Sequence, residues 1–173
     1  ILCVNLIDES KRKGIDIDCR KLSEELGIPV VPTNARKGIG LDVLKDSLHS
    51  MIRTKETLSP ISIDYNEQIT DAVDELCPLI SPIIKDDVLD MRWTSLRLLD
   101  GDNSIIQSIV KYLDIDLSTH NEIMDKIETI KEELEVVHHM NINNLREKIV
   151  SSIIEKAEII ADKVITEHKK QHR

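Results

Sequence analysis

Phenylalanine is absent from this sequence, and aromatic residues of every kind make up only 2% of its 173 positions. Any core must therefore be filled by Ile, Leu and Val. Glycine and proline are scarce as well, five of each, while 32% of residues are charged; such a composition reads as mostly helical. Basic excess is also lacking, for the formal net charge is −9, and a nucleic-acid binder should carry a basic face. RNA and DNA are not expected partners. The three cysteines, Cys3, Cys19 and Cys77, have no metal-ligand spacing and suit a reducing cytoplasm. No apolar run approaches the roughly 18 to 20 residues of a membrane span, and no signal peptide is visible. The piece is expected to be soluble and, starting in mid-strand without Met, to be a fragment of something longer.

One further absence bears on chemistry. There is no Gly-x-x-x-x-Gly-Lys-Ser/Thr loop to hold nucleotide phosphates and Mg²⁺, and no switch segment to place an attacking water. The one Gly-x-Gly, Gly38 to Gly40, lacks the rest of such a loop.

What is present begins with two apolar runs, 1–7 and 28–32, which read as buried strands. Between them Glu9 to Gly14 forms a short helical turn, and Asp18 caps a helix from Cys19 to Leu26 that Gly27 stops. Strand, crossover helix and strand make a βαβ unit. Each strand delivers a polar cluster at its carboxyl end, where open α/β sheets bind ligands. Asn5, Leu6 and Asp8 follow the first, and Thr33, Asn34 and Ala35 follow the second. This set suits a guanine base. The Asp8 carboxylate can accept from both N1–H and the N2 amino group, which adenine cannot offer. Asn5 can tie base and loop together, and the Ala35 N–H can approach O6.

Asn5-Leu6-Ile7-Asp8, then Thr33-Asn34-Ala35-Arg36-Lys37-Gly38-Ile39-Gly40, resembles the fourth and fifth nucleotide-binding motifs of the Ras-like GTPase superfamily. Within it the wording is similar to the ferrous iron transport protein B (FeoB) family. Two positions depart from the usual pattern. Leu6 stands for a Lys whose stem packs on the base, keeping apolar cover without the charge. Asn34 stands where a Ser is more usual.

From Leu41 the apolar positions Leu44, Leu48 and Met51 or Ile52 predict a helix ending near Arg53. A polar stretch with Pro60 then places a boundary at about 54–63, dividing residues 1–55 from a helical domain at 64–167. There, Ile69, Val73, Leu76 and Ile80 form a stripe bent or broken by Pro78 and Pro82. A segment of about 88–99 carries Trp93, expected as a core anchor in phase with Leu96 and Leu99. Asp86, Asp87 and Asp90 read as its solvated start. Asp102 caps a helix bearing Ile105, Ile106, Ile109 and Leu113. Thr119 and Glu122 have capping-box spacing before a seam of Ile123, Ile127, Ile130, Leu134 and Val137. The last helix, 142–167, turns Leu145, Ile149, Ile153, Ala157, Ile160 and Val164 inward. The fold class expected is mainly α: a βαβα remnant of a Ras-like α/β GTPase domain, then a bundle of about five helices.

Met91-Arg92-Trp93 through Leu98-Leu99-Asp100-Gly101-Asp102 resembles the signature of the helical domain that follows the GTPase domain in FeoB. The resemblance implies GTP or GDP as ligand, a parent GTPase coupled to ferrous iron uptake at the cytoplasmic face of a prokaryotic cell membrane, and the membrane-embedded part of the same protein as partner. It also implies that the tail 167–173 leads toward the membrane. Without a phosphate loop, these residues are not expected to hydrolyse GTP alone. The alternatives are a helical protein-interaction module, and a fragment of another Ras-like GTPase without an iron role. His138-His139 cannot chelate one ion from one helix face. The incomplete sheet is expected to promote self-association through residues 1–50, or local disorder there if no partner is found, while the bundle stays ordered.

Overall fold

The computed structural model describes residues 1–54, 58–84 and 89–168. The acidic pair Asp86-Asp87, the proposed start at Val88 and the tail beyond 168 lie outside them. The chain divides into two units, Ile1–Ile63 with Ile153–Arg173, and Asp64–Ser152.

In the first unit the order is β1 (Leu2–Val4), α1 (Ile7–Lys13), β2 (Ile15–Ile17), α2 (Cys19–Leu26), β3 (Val30–Pro32) and α3 (Leu41–Thr54). β1 and β3 pair in parallel, Cys3 opposite Val31, as the βαβ reading requires. Asp18 caps α2 by accepting from the Lys21 N–H at 2.9 Å. The short strand β2 was not anticipated. It is too brief to show a period, and its partner is far away in sequence: β4 (Ile165–Glu167) runs antiparallel to it, Asp16 opposite Thr166.

The second unit holds α4 (Glu67–Ile80), α5 (Met91–Asp100), α6 (Asn103–Leu113) and α7 (Asn121–Val136), together with the first half of α8 (Ile142–Val164). These are the five helices expected. Ile69, Val73, Leu76 and Ile80 are all buried on α4, which runs through Pro78 and ends before Pro82. They meet Leu96 and Leu99 of α5, Ile123, Ile127, Ile130 and Leu134 of α7, and Leu145 and Ile149 of α8 in one aliphatic core. Burying each such side chain contributes about 1.5 to 3 kcal/mol.

Five expectations are corrected. Trp93 is 44% exposed rather than a core anchor. The buried face of α5 centres on Ser95 and Leu99, and at about 100° per residue Trp93 points roughly 160° away from Ser95. No capping box forms at Thr119, which lies in a 3₁₀ turn and donates to the Asp116 carbonyl at 2.7 Å. Val137 is exposed because α7 stops at Val136, and Met140 fills the core instead. On α8, Ile153 and Ala157 are exposed while Ile160 and Val164 are buried. This helix ends at Val164, three residues short of the expected end, and its continuation is β4.

Candidate functional site

The carboxyl ends of β1 and β3 bring the two polar clusters together. Thr33 donates its backbone N–H to the Val4 carbonyl at 2.8 Å, and its own carbonyl accepts from the Ile7 N–H at 3.2 Å. The Thr33 side chain is fully buried. Its hydroxyl lies 3.3 Å from Asn5 Oδ1 and 3.1 Å from Cys3 Sγ. Asn5 Oδ1 also accepts the Ala35 N–H at 3.1 Å. One amide oxygen thus fastens the first loop to the second at two points.

Leu6 begins α1 in the left-handed region, φ 59°, with its side chain 53% exposed. An exposed Leu in that conformation is uncommon; here it turns the chain sharply between Asn5 and Asp8. Asp8 then lies in the first turn of α1, where the helix dipole favours a carboxylate, and it is open to solvent. Its Oδ2 accepts from Lys37 Nζ at 2.8 Å. That hydrogen bond holds the Asp8 carboxyl below its usual pKa.

Asn34 does not face outward. It is buried, and its Oδ1 caps the 3₁₀ turn Ala35–Lys37 by accepting the Lys37 N–H at 3.2 Å. Its backbone exchanges hydrogen bonds with Ile39 at 2.9 and 3.1 Å. The place departing from the usual Ser therefore shapes the second loop from within. Gly40 closes that loop at φ 80°, and a Cβ there would stand 2.3 Å from the Pro32 carbonyl oxygen. Only glycine fits.

All six residues singled out in the sequence, Asn5, Leu6, Asp8, Thr33, Asn34 and Ala35, belong to this one edge. Two groups anticipated as free for a ligand already have partners within the edge: the Ala35 N–H is engaged by Asn5 and the Asp8 carboxylate by Lys37. Sequence reasoning missed Lys37, which carries no motif of its own. Its only signal was a cation two residues after Ala35, within reach of Asp8 if the loops met. Among the described residues no group of three or more His, Cys, Asp or Glu could hold a metal ion, and no helix is long and apolar enough to cross a membrane. A cleft of about 630 Å³ in the helical unit, lined by Leu79, Ile83, Ile115 and His120 among others, has no part in this edge.

Comparison with known proteins agrees in both halves. The family model of the FeoB cytosolic helical domain matches residues 65–166, and that of ferrous iron transport protein B matches residues 1–48. The Fe(2+) transport protein A/Fe(2+) transporter FeoB fusion protein of Porphyromonas gingivalis is 36% identical over 107 residues, covering 61% of this chain and 13% of that protein. The Fe(2+) transporter FeoB of Staphylococcus aureus is 27% identical over 152 residues, 86% of this chain and 22% of that protein. The chain thus spans less than a quarter of these relatives. Among solved structures, the cytosolic domain of L. pneumophila FeoB has a TM-score of 0.67 at 23% identity, covering 96% of this chain and 57% of that one. A GDP-bound mutant of S. thermophilus NFeoB has 0.66 at 22%, covering 95% and 57%. These two likenesses are of fold.

Proposed function

The chain belongs to the ferrous iron transport protein B family, and from that premise we propose that residues 1–55 read the guanine base of GTP or GDP in a cytosolic GTPase region. Residues 64–167 are then the helical domain linking nucleotide state to a membrane iron channel. In this reading Asp8 accepts N1–H and the N2 amino group, Leu6 covers the base, and Asn5 holds the two loops at a fixed separation. Thr33 and Asn34 shape the second loop. O6 shares the Ala35 amide proton with Asn5 as a three-centre bond, a common arrangement at helix ends. The region works at the cytoplasmic face of a prokaryotic membrane, with the membrane-embedded part as its partner. Hydrolysis is not assigned to these residues, since no phosphate-binding loop is among them.

The observation that carries the proposal is the Asn5 Oδ1 bridge to Ala35 and Thr33, with Asp8 exposed three residues on. In the intact protein, Asp8→Asn should weaken GDP and GTP binding about 30-fold or more, the loss expected for a charged bidentate pair. It should also shift preference toward xanthine nucleotides, whose C2 oxygen suits an amide donor. Titration with fluorescent nucleotides reads both; unchanged guanine preference would exclude the role.

A further inference from the structure

We propose that Lys37 is a positioning residue for guanine recognition, clamping the Asp8 carboxylate in the plane that the base requires; this rests on the base-reading role proposed above for Asp8. An exposed Lys–Asp pair is ordinarily worth little, because two long side chains must be ordered to make it. Here the ordering is largely done by the backbone. The Lys37 N–H is held by Asn34 Oδ1, the Ala35 N–H by Asn5 Oδ1, and the Ile7 N–H by the Thr33 carbonyl. Both loops are thereby fixed on either side of the 2.8 Å contact between Lys37 Nζ and Asp8 Oδ2.

A carboxylate offers about four lone-pair positions on its two oxygens. Lys37 takes one, on Oδ2, which leaves acceptor capacity on both oxygens for the two N–H donors of guanine. Asp8 sits on a helix of seven residues with no buried side chain, and the side-chain hydrogen bond its carboxylate receives from Lys37 restrains its rotamer. The ammonium supplies that restraint and favours the ionised form. Leu6 cannot do this, having no charge. The cation at this edge comes instead from the second loop, so the same contact also draws that loop against the first.

The test compares GDP with IDP, which lacks the C2 amino group and so can satisfy only one of the two bonds to Asp8. In the intact protein, displacement of a fluorescent nucleotide is measured for wild type, Lys37→Met, Lys37→Arg, Asp8→Asn and the double variant Lys37→Met/Asp8→Asn. Lys37→Met should weaken GDP about five- to tenfold, in keeping with a charge-assisted bond, but weaken IDP less, so that the GDP/IDP ratio narrows. Lys37→Arg should restore the ratio, and Lys37→Met should add nothing in the Asp8→Asn background. A merely structural Lys37 would weaken both nucleotides alike. Equal losses, an unchanged ratio, or tighter GDP binding in Lys37→Met would overturn the proposal while leaving Asp8 as the reader. An Asp8→Asn protein that keeps full guanine preference would overturn the base-reading role and this inference with it. Matching circular dichroism melts of the single variants keep a folding defect from imitating any of these results.

Discussion

At the scale of single residues, the stretch from Arg97 to Asp102 shows why each side chain stands where it does. Asp100 is 8% exposed and accepts from Arg97 Nη1 at 3.2 Å and from Arg146 Nε at 2.7 Å. Arg146 also donates to the Asp100 carbonyl at 2.9 Å, joining the end of α5 to α8. Asp102 accepts the Ser104 and Ile105 N–H groups and starts α6. The two acids are therefore not interchangeable. Removing Asp100 leaves the largely buried Arg97 guanidinium without its carboxylate, whereas removing the half-exposed Arg146 leaves Asp100 still paired. Asp100→Ala should cost about 3 kcal/mol, the scale of a broken buried pair, and Arg146→Ala roughly half of that or less. Urea unfolding of the two variants checks the order; equal costs would mean that Arg146 carries the network. Gly27 belongs to this scale too. At φ 64° its Cβ would fall 1.9 Å from the Ser59 carbonyl oxygen, so the stop after α2 is also where the backbone at Ser59 passes closest.

Among the elements, helices with strong aliphatic stripes were legible from the sequence because burial of Ile and Leu at steps of three and four leaves a periodic trace. α4 and most of α7 follow that trace residue for residue. α5 did not, because its buried face includes Thr94 and Ser95, small polar side chains that a hydrophobic pattern reads as solvent-facing. Ser95 donates to the Met91 carbonyl at 2.9 Å and Thr94 to that of Asp90 at 2.8 Å, so both satisfy their hydroxyls within their own helix and can be buried. Trp93 is displaced outward as a result. Since it is the one tryptophan in the chain, the element's orientation can be checked directly. Its emission should resemble that of a solvated indole and be readily quenched by acrylamide in the native state. A blue-shifted, protected emission would place α5 the other way round. β2 and β4 were illegible for another reason: three-residue strands carry no period, and their pairing depends on residues some 150 positions apart, a number that follows from Ile15 lying opposite Glu167. The residues that meet at the ends of β1 and β3 could be singled out through their motif wording, while Lys37, a lone cation, could not.

Over the whole molecule, α8 gives its Leu145 and Ile149 to the helical core, whereas its buried Ile160 and Val164 belong to the first unit, Ile1–Ile63 with Ile153–Arg173. Lys163 reaches Glu25 at 2.7 Å, the Asp18 N–H donates to the Val164 carbonyl at 2.9 Å, and β4 then occupies one edge of β2. That strand does nothing for the other sheet. β1 and β3 pair only with each other among the described residues, and a two-stranded sheet is marginal in isolation. The same unit exposes Leu2 on β1 and Val43, Leu48 and Ile52 on α3, the last 76% accessible. Unpaired strand edges template pairing with another chain, and apolar side chains beside them favour association. Taken by itself, this 173-residue chain should therefore self-associate in a concentration-dependent way through β1, β3 and α3, the sheet edges supplying hydrogen bonds and α3 the apolar contact. Light scattering across a dilution series measures this. Leu48→Lys with Ile52→Lys should shift the equilibrium toward monomer, because a charge on that surface must be desolvated to associate. Lysines at the solvent-facing Glu132 and Glu135 of α7 should leave it unchanged. A chain that stays monomeric at every concentration, with the amides of both β1 and β3 protected from exchange, would show that these edges are closed by the molecule itself and would sink the prediction.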